Sequence, residues 1–267
     1  MRGNVIRNSS VLAALMILVF PVSTIAAMTA KTAKVVEKKS ASPTVVWEAW
    51  YTITQKEGDV HYGYYFDRVE QQPDGLHFKN TIVKSENVGR ITESVVAMSA
   101  DRDPSQQHLD PTFFWYRQER AGQVVEVNGN VKDQKFLTVT TRVEGQDSAS
   151  VVKKSIPKNT IFSTQFPLWV RARLKDWKKG REVSFYSILE DPRDPTFTPV
   201  PSSARFEKEV PGEKGEMLKM FRVKIAENQE STWHFGKDGV AMRIELPAMG
   251  LMIKKVDSQK TAESFLE

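Results

Sequence analysis

The chain has 267 residues, 38 Lys and Arg against 33 Asp and Glu for a formal charge of +5, and no cysteine. Without cysteine there is no disulfide framework, no thiol nucleophile and no thiolate zinc site, so stability has to come from an apolar core. The excess charge does not mark a nucleic-acid face: it sits on Arg2, Arg7 and a Lys-rich stretch before residue 40, after which acids and bases balance, whereas a phosphate-binding domain carries its excess in the folded body.

At the N-terminus, Arg2 and Arg7 precede an apolar run from Val11 to Phe20, and Thr24-Ile25-Ala26 supplies small residues where a signal peptidase reads. Residues 1–26 are expected to be a signal peptide that sends the protein to the periplasm. The apolar run is short against the ~20 residues of a spanning helix, so no transmembrane span is expected to remain after cleavage. Residues 27–44 are small, polar and basic, which predicts a flexible linker.

One domain is expected over 45–257, followed by a C-terminal tail at 258–267. It opens at Val45 with a run dense in β-branched and aromatic residues. Trp47, Ala49, Tyr51 and Ile53 share one face of that strand and Val46 and Trp50 the other, so neither face is polar and the strand suits the middle of a sheet covered on both sides. Short strand-like runs then alternate with turn signals: Gly58-Asp59, Pro73-Asp74-Gly75, Asn128-Gly129, Gly145, Pro211 to Gly215, Asp238-Gly239 and Pro247 to Gly250. Asn128-Gly129 and Asp238-Gly239 are the strongest of these, because a primed two-residue turn needs positive φ at both central positions.

One segment breaks the period of two. Phe162, Phe166, Trp169, Val170, Leu174 and Trp177 recur at three- and four-residue steps, Pro167 suits a first helical turn and Gly180 a stop, which predicts an amphipathic helix over 165–179. Its aromatic stripe needs a partner, and the sheet is the surface available. So many sequential strands cannot stay flat, since twist accumulates. The expected fold is therefore mainly β: a strongly curved antiparallel meander, or incomplete barrel, packed around one amphipathic helix.

Three stretches carry a family resemblance. Trp47-Glu48-Ala49-Trp50-Tyr51-Thr52-Ile53 followed by Gly63-Tyr64-Tyr65, the segment from Phe166-Pro167-Leu168-Trp169 through Lys179-Gly180-Arg181 to Asp191-Pro192, and Trp233-His234-Phe235-Gly236-Lys237-Asp238-Gly239 resemble, in order, the opening, middle and closing hairpin of an uncharacterised bacterial periplasmic domain family with a lipoprotein-carrier-like (LolA-like) curved sheet. The resemblance implies that sheet and, in some relatives of the fold, binding of acyl chains or other apolar ligands. It brings no catalytic residues to carry over.

The residues themselves offer little chemistry. His61, His77, His108 and His234 have no metal-ligand spacing, and neither a Gly-x-Ser-x-Gly elbow nor a phosphate loop is present. The acidic clusters at Asp101-Arg102-Asp103 and Glu190-Asp191-Pro192-Arg193-Asp194 would serve a calcium site or a carboxylate pair, but each contains an Arg and an Asp before Pro, which is turn chemistry. Arg171, Arg173, Lys175, Lys178, Lys179 and Arg181 place a basic run opposite the aromatic stripe, as a solvated helix face or an attraction for anionic headgroups.

The expected function is non-enzymatic: binding of an apolar, lipid-like or amphipathic ligand, or of an envelope protein partner, in the concave face, with no cofactor and no metal. The candidate lining residues are Trp50, Trp115, Phe162, Phe166, Trp169 and Trp177. The alternatives are an envelope scaffold acting through strand edges, and an enzyme whose carboxylates Asp101, Asp103, Glu190, Asp191 and Asp194 would gather in one cleft.

Overall fold

The computed structural model describes residues 42–56, 60–86, 89–193, 195–226 and 229–264. The signal reading, the linker reading up to residue 41, the Gly58-Asp59 turn and Asp194 lie outside them, and Thr44, expected to end the linker, instead opens the first strand. The strands are β1 (Thr44–Gln55), β2 (His61–Gln72), β3 (Gly75–Glu86), β4 (Gly89–Ser99), β5 (Pro111–Arg120), β6 (Gln123–Lys132), β7 (Phe136–Val143), β8 (Ser150–Ser155), β9 (Thr160–Phe162), β10 (Glu182–Ile188), β11 (Val200–Pro211), β12 (Met217–Ile225), β13 (Gln229–Phe235), β14 (Ala241–Leu246) and β15 (Leu251–Val256). A short helix α1 (Phe166–Arg171) follows β9, and α2 (Gln259–Glu263) follows β15.

All the strands join one mainly antiparallel sheet in the order β8-β7-β6-β5-β4-β3-β2-β1-β15-β14-β13-β12-β11-β10-β9. The first and last strands pair in its middle, and the sequence neighbours β8 and β9 are its two edges. β9 lies parallel to β10. The central place of β1 is the one its composition asks for. Trp47, Ala49, Tyr51 and Ile53 are buried in the main core, while Trp50 on the other face packs with Tyr64, Val83, Val256 and Ala262 of α2. The segment read as a C-terminal tail thus supplies a helix that covers the outer face of the central strands, capped by the Ser258 hydroxyl, which accepts from the Thr261 amide.

The two arms of the sheet curl toward each other and share one core. Phe114 of β5 meets Phe162 of β9 with ring centroids 5.2 Å apart. Alternation along each strand explains which residues fill it: Phe221 and Val223 of β12 and Ile244 and Leu246 of β14 are buried, and Arg222 and Lys224 are exposed.

Asp238-Gly239 turns the chain between β13 and β14, with Gly239 at φ 78°. Asn128-Gly129 does not turn it. Both residues lie inside β6, paired on each side with β5 and β7, and the reversals fall at Ala121-Gly122 and Asp133-Gln134, all four at positive φ. Gly129 serves close approach instead: it stands opposite Phe114, and a Cβ there would lie 1.9 Å from the ring. Because that ring is fully buried and has nowhere to go, Gly129→Ala is expected to lower stability by about 1–3 kcal/mol in urea unfolding. An unchanged midpoint would show that the ring gives way freely.

Candidate functional site

The segment from Ser163 to Trp177 fills the concave face. A 3-10 turn at Ser163–Gln165 leads into α1, which ends at Arg171, eight residues short of the helix predicted to 179. Beyond it the backbone tightens into three-residue turns, with Arg173 N bonding Val170 O, Leu174 N bonding Arg171 O and Asp176 N bonding Arg173 O. The reason is local: the Arg173 guanidinium donates to Trp169 O at 2.8 Å, the carbonyl that a continuing helix would need for the Arg173 amide. Three-residue turns keep the aromatic stripe on one side, so the packing expected of the helix is met by a mixed coil.

A side-chain amide and a carboxylate fix the start of this plug. The Gln165 side chain accepts from Phe162 N at 3.0 Å, and the buried Glu190, in the loop after β10, accepts from Ser163 N and Thr164 N and from both hydroxyls. Burial raises the Glu190 pKa above the ordinary carboxylate range, although these donors pull it down. Inside the plug, Phe166 meets Phe185 and Trp233, Trp169 meets Phe185 at 4.7 Å and Trp177 meets Phe221 at 5.0 Å, tying it to β10, β12 and β13.

The opposite arm contributes polar groups to the interior. On β2 to β4 the inward positions that carry Val69, Phe78 and Ala97 also carry Asp67, Asn80, Lys84 and Glu93, all buried. Asp67 accepts from Trp47 Nε1 at 3.1 Å. Asn80 bridges it to Tyr65: with both ends of the amide satisfied, its oxygen accepts from the Tyr65 hydroxyl at 2.6 Å and its nitrogen reaches Asp67 Oδ1 at 3.3 Å. Burial pushes the Asp67 carboxyl up to about 7, against the lowering effect of the Trp47 bond, and holds the Tyr51 and Tyr65 hydroxyls well above the usual phenol range. Asp191 is raised to about 6, again by burial, with Arg193 beside it acting in the other direction.

Between plug and sheet lies a cavity of about 170 Å³. Its floor is Phe166, Ser163 and Thr164, one wall carries Tyr65, Asn80, Ile82, Glu93 and Val95, and the facing wall is Ile225, Trp233, Ile244, Leu246 and Ile253. Leu189, Asp191 and Gln229 complete it.

Of the six predicted lining residues, Phe162, Phe166, Trp169 and Trp177 come together in the concave core, and Phe166 lines the cavity. Trp50 does not join them: it packs on the outer face with Phe66, ring centroids 4.4 Å apart. Trp115 is half-buried on the side of β5 opposite Phe114 and Tyr116. Both fail for the same reason: strand alternation sends them outward once their neighbours point in. The basic run is also divided, since Arg171 and Arg173 fold over the Trp47 and Trp169 rings at 5.3 and 4.1 Å while Lys175, Lys178, Lys179 and Arg181 are exposed.

The first acidic cluster closes the loop before β5. Asp101 accepts from Ser99 Oγ and Asp110 N, both at 2.6 Å, and Asp103 accepts from Ser105 N. Of the second cluster, Glu190 holds the plug and Asp191 reaches the cavity wall. Among the described residues no three His, Asp or Glu side chains gather as a metal site, and no helix is long and apolar enough to cross a membrane. Sequence reasoning missed Asp67, Asn80 and Glu93, although the period of two in β2 to β4 puts them in line with the buried face.

No family model matches the chain, and no curated protein matches it. Among solved structures it is similar to a DUF1089 family protein from Pseudomonas aeruginosa, at 9% identity and a TM-score of 0.38, over 79% of this chain and 95% of that one.

Proposed function

We propose that this is a non-enzymatic periplasmic binding protein that holds a small apolar or amphipathic molecule in the concave face of its sheet. The observation that carries this is the cavity between the Ser163 to Trp177 plug and the sheet, mostly apolar on the β12 to β15 side and mixed on the side of β2 to β4, where Tyr65, Asn80 and Glu93 stand among Ile82 and Val95. Its volume limits the guest. A dry cavity of about 150 Å³ takes one benzene, so about 170 Å³ suits a ring or a short chain and leaves no room for a whole two-chain lipid. The resemblance to lipoprotein-carrier-like domains accords with this reading.

Mass spectrometry of gently purified protein, with displacement of a solvatochromic apolar dye by short-chain compounds, tests the proposal. Val95→Phe, which extends a ring into the cavity, is expected to weaken dye binding by tenfold or more, the worth of about 1.4 kcal/mol. Its melting temperature should stay near that of the wild type. Dye bound equally well by this variant would place the site elsewhere.

A second reading, as an envelope scaffold acting through strand edges, is favoured by one feature. β8 is a sheet edge paired to β7 alone, with Val151 58% exposed on it and Phe136 54% exposed at the start of β7. Crosslinking in whole cells followed by pull-down distinguishes the two, because a carrier retains its small molecule when isolated alone.

A further inference from the structure

The cavity is chemically one-sided. Apart from Gln229 at the start of β13, a guest meets apolar side chains on the β12 to β15 wall, while the charged groups on its lining are both carboxylates, Glu93 and Asp191. The cations that balance them stand behind the lining. Lys84, itself buried, lies 3.5 Å from Glu93 Oε1, and Arg193 grips Asp191 through two side-chain bonds. Glu93 also has accepting capacity left. Its Oε1 takes the Gln118 amide at 3.2 Å together with Lys84, but its Oε2 is buried and has no partner in the protein. A buried acceptor without a donor is unfavourable until one arrives. The terminal torsion of a Glu side chain is soft, so a partial rotation of the carboxylate offers that oxygen to a guest while lengthening the Oε1 contacts with Gln118 and Lys84.

Resting on the reading of this cavity as a ligand site, we infer that its ligand is a small apolar molecule ending in a hydrogen-bond donor, an ammonium or hydroxyl group received by Glu93 and Asp191, and that a carboxylate of the same size is rejected. The apolar part lies against Ile225 and Ile244, and the donor end turns toward β4 and the loop after β10. Rejection follows from the same geometry, since an incoming carboxylate would face two acceptors and bring no proton to either.

The test is titration of hexylamine, 1-hexanol and hexanoate into the full-length protein at about pH 7.5, above the range in which ordinary carboxylates titrate, followed by heteronuclear NMR. Hexylamine, hexanol or both should bind at least about tenfold tighter than hexanoate, the worth of one hydrogen bond to a charged group. An amine well above the alcohol identifies a cationic ligand, and equal affinities identify a neutral donor. The double variant Lys84→Met, Glu93→Gln removes the ion pair without leaving a lone buried charge, and in it, with Asp191 still in place, the preference should fall at least a few-fold. Hexanoate binding as tightly as the others, or a preference unchanged in the double variant, overturns the inference and leaves the cavity reading standing. Absence of binding by all three, with no co-purified molecule, removes the cavity reading and the inference with it. Should the double variant fail to fold, the wild-type ranking and Asp191→Asn decide between these outcomes.

Discussion

Trp169→Ala is expected to cost about 3–5 kcal/mol of folding stability, the usual range for deleting a large aromatic from a core. Trp169 sits at the centre of the plug. Its ring packs on Phe166, Trp177 and Phe185 and carries the Arg173 guanidinium on its face. Truncation would leave a void bounded by β10 and the plug, because the neighbours are themselves held by other rings and cannot collapse into it. Domains have roughly 5–15 kcal/mol in total, so the variant should be near its folding limit at 37 °C. Trp115→Ala is the control, since the same residue type lies half-buried on the outer face and should cost less than half as much. Urea unfolding of both variants measures the difference. Equal losses would mean that the plug does not organise the core.

The second large effect is a pH dependence located at Asp67. In the unfolded chain this carboxyl titrates near 3.9, and in the folded protein burial raises it to about 7. The folded state therefore holds a proton over a window in which the unfolded state has released it. The contribution to stability is fully present below about pH 4 and is lost as pH rises toward 7. At about 1.4 kcal/mol per pH unit the loss is on the order of 4 kcal/mol by pH 7. Asp191, raised to about 6, and Glu190 act in the same direction, whereas the lowered carboxylates Glu70 and Glu213 and the lowered His234 act in the opposite one. The wild-type profile mixes these, so the comparison with Asp67→Asn isolates one group. An amide keeps the shape and never ionises. Its oxygen accepts from Trp47 as before, and Asn80 accommodates the new donor by turning its own amide over, giving its oxygen to residue 67 and its nitrogen to the Tyr65 hydroxyl. Asp67→Asn should match the wild type near pH 4, gain on it through pH 7, and hold a constant advantage above. Urea unfolding across pH 4.5 to 8.5 reads this directly. Parallel curves would mean that Asp67 titrates as it does in the unfolded chain.

These two residues differ in how far the sequence gave them away. Trp169 belongs to a stripe with helical spacing, and its burial is what that spacing asks for whether the backbone is α or 3-10. The early end of the helix was not legible, because it depends on Arg173 reaching the Trp169 carbonyl, a side-chain choice made only when the plug meets its neighbours. Asp67 is legible only in part: its register with Trp47 and Val69 puts it on the buried face, but an isolated strand does not say whether an inward acid is tolerated.

The sequence by itself determined the class of the fold. Alternation in β12 and β14, the apolar faces of β1 and the Asp238-Gly239 turn are local signals, and local sterics and burial are enough to read them. Only the tertiary structure decided the rest. It set which strands became the edges, because pairing of the first strand with the last depends on contacts far apart in the chain. It made Gly129 a space for the Phe114 ring instead of a turn, and it turned Trp50 and Trp115 outward while gathering Glu93, Asp191 and the isoleucines around a cavity. Those outcomes depend on which arm faces which, and that is fixed by the curvature of the whole sheet around its plug.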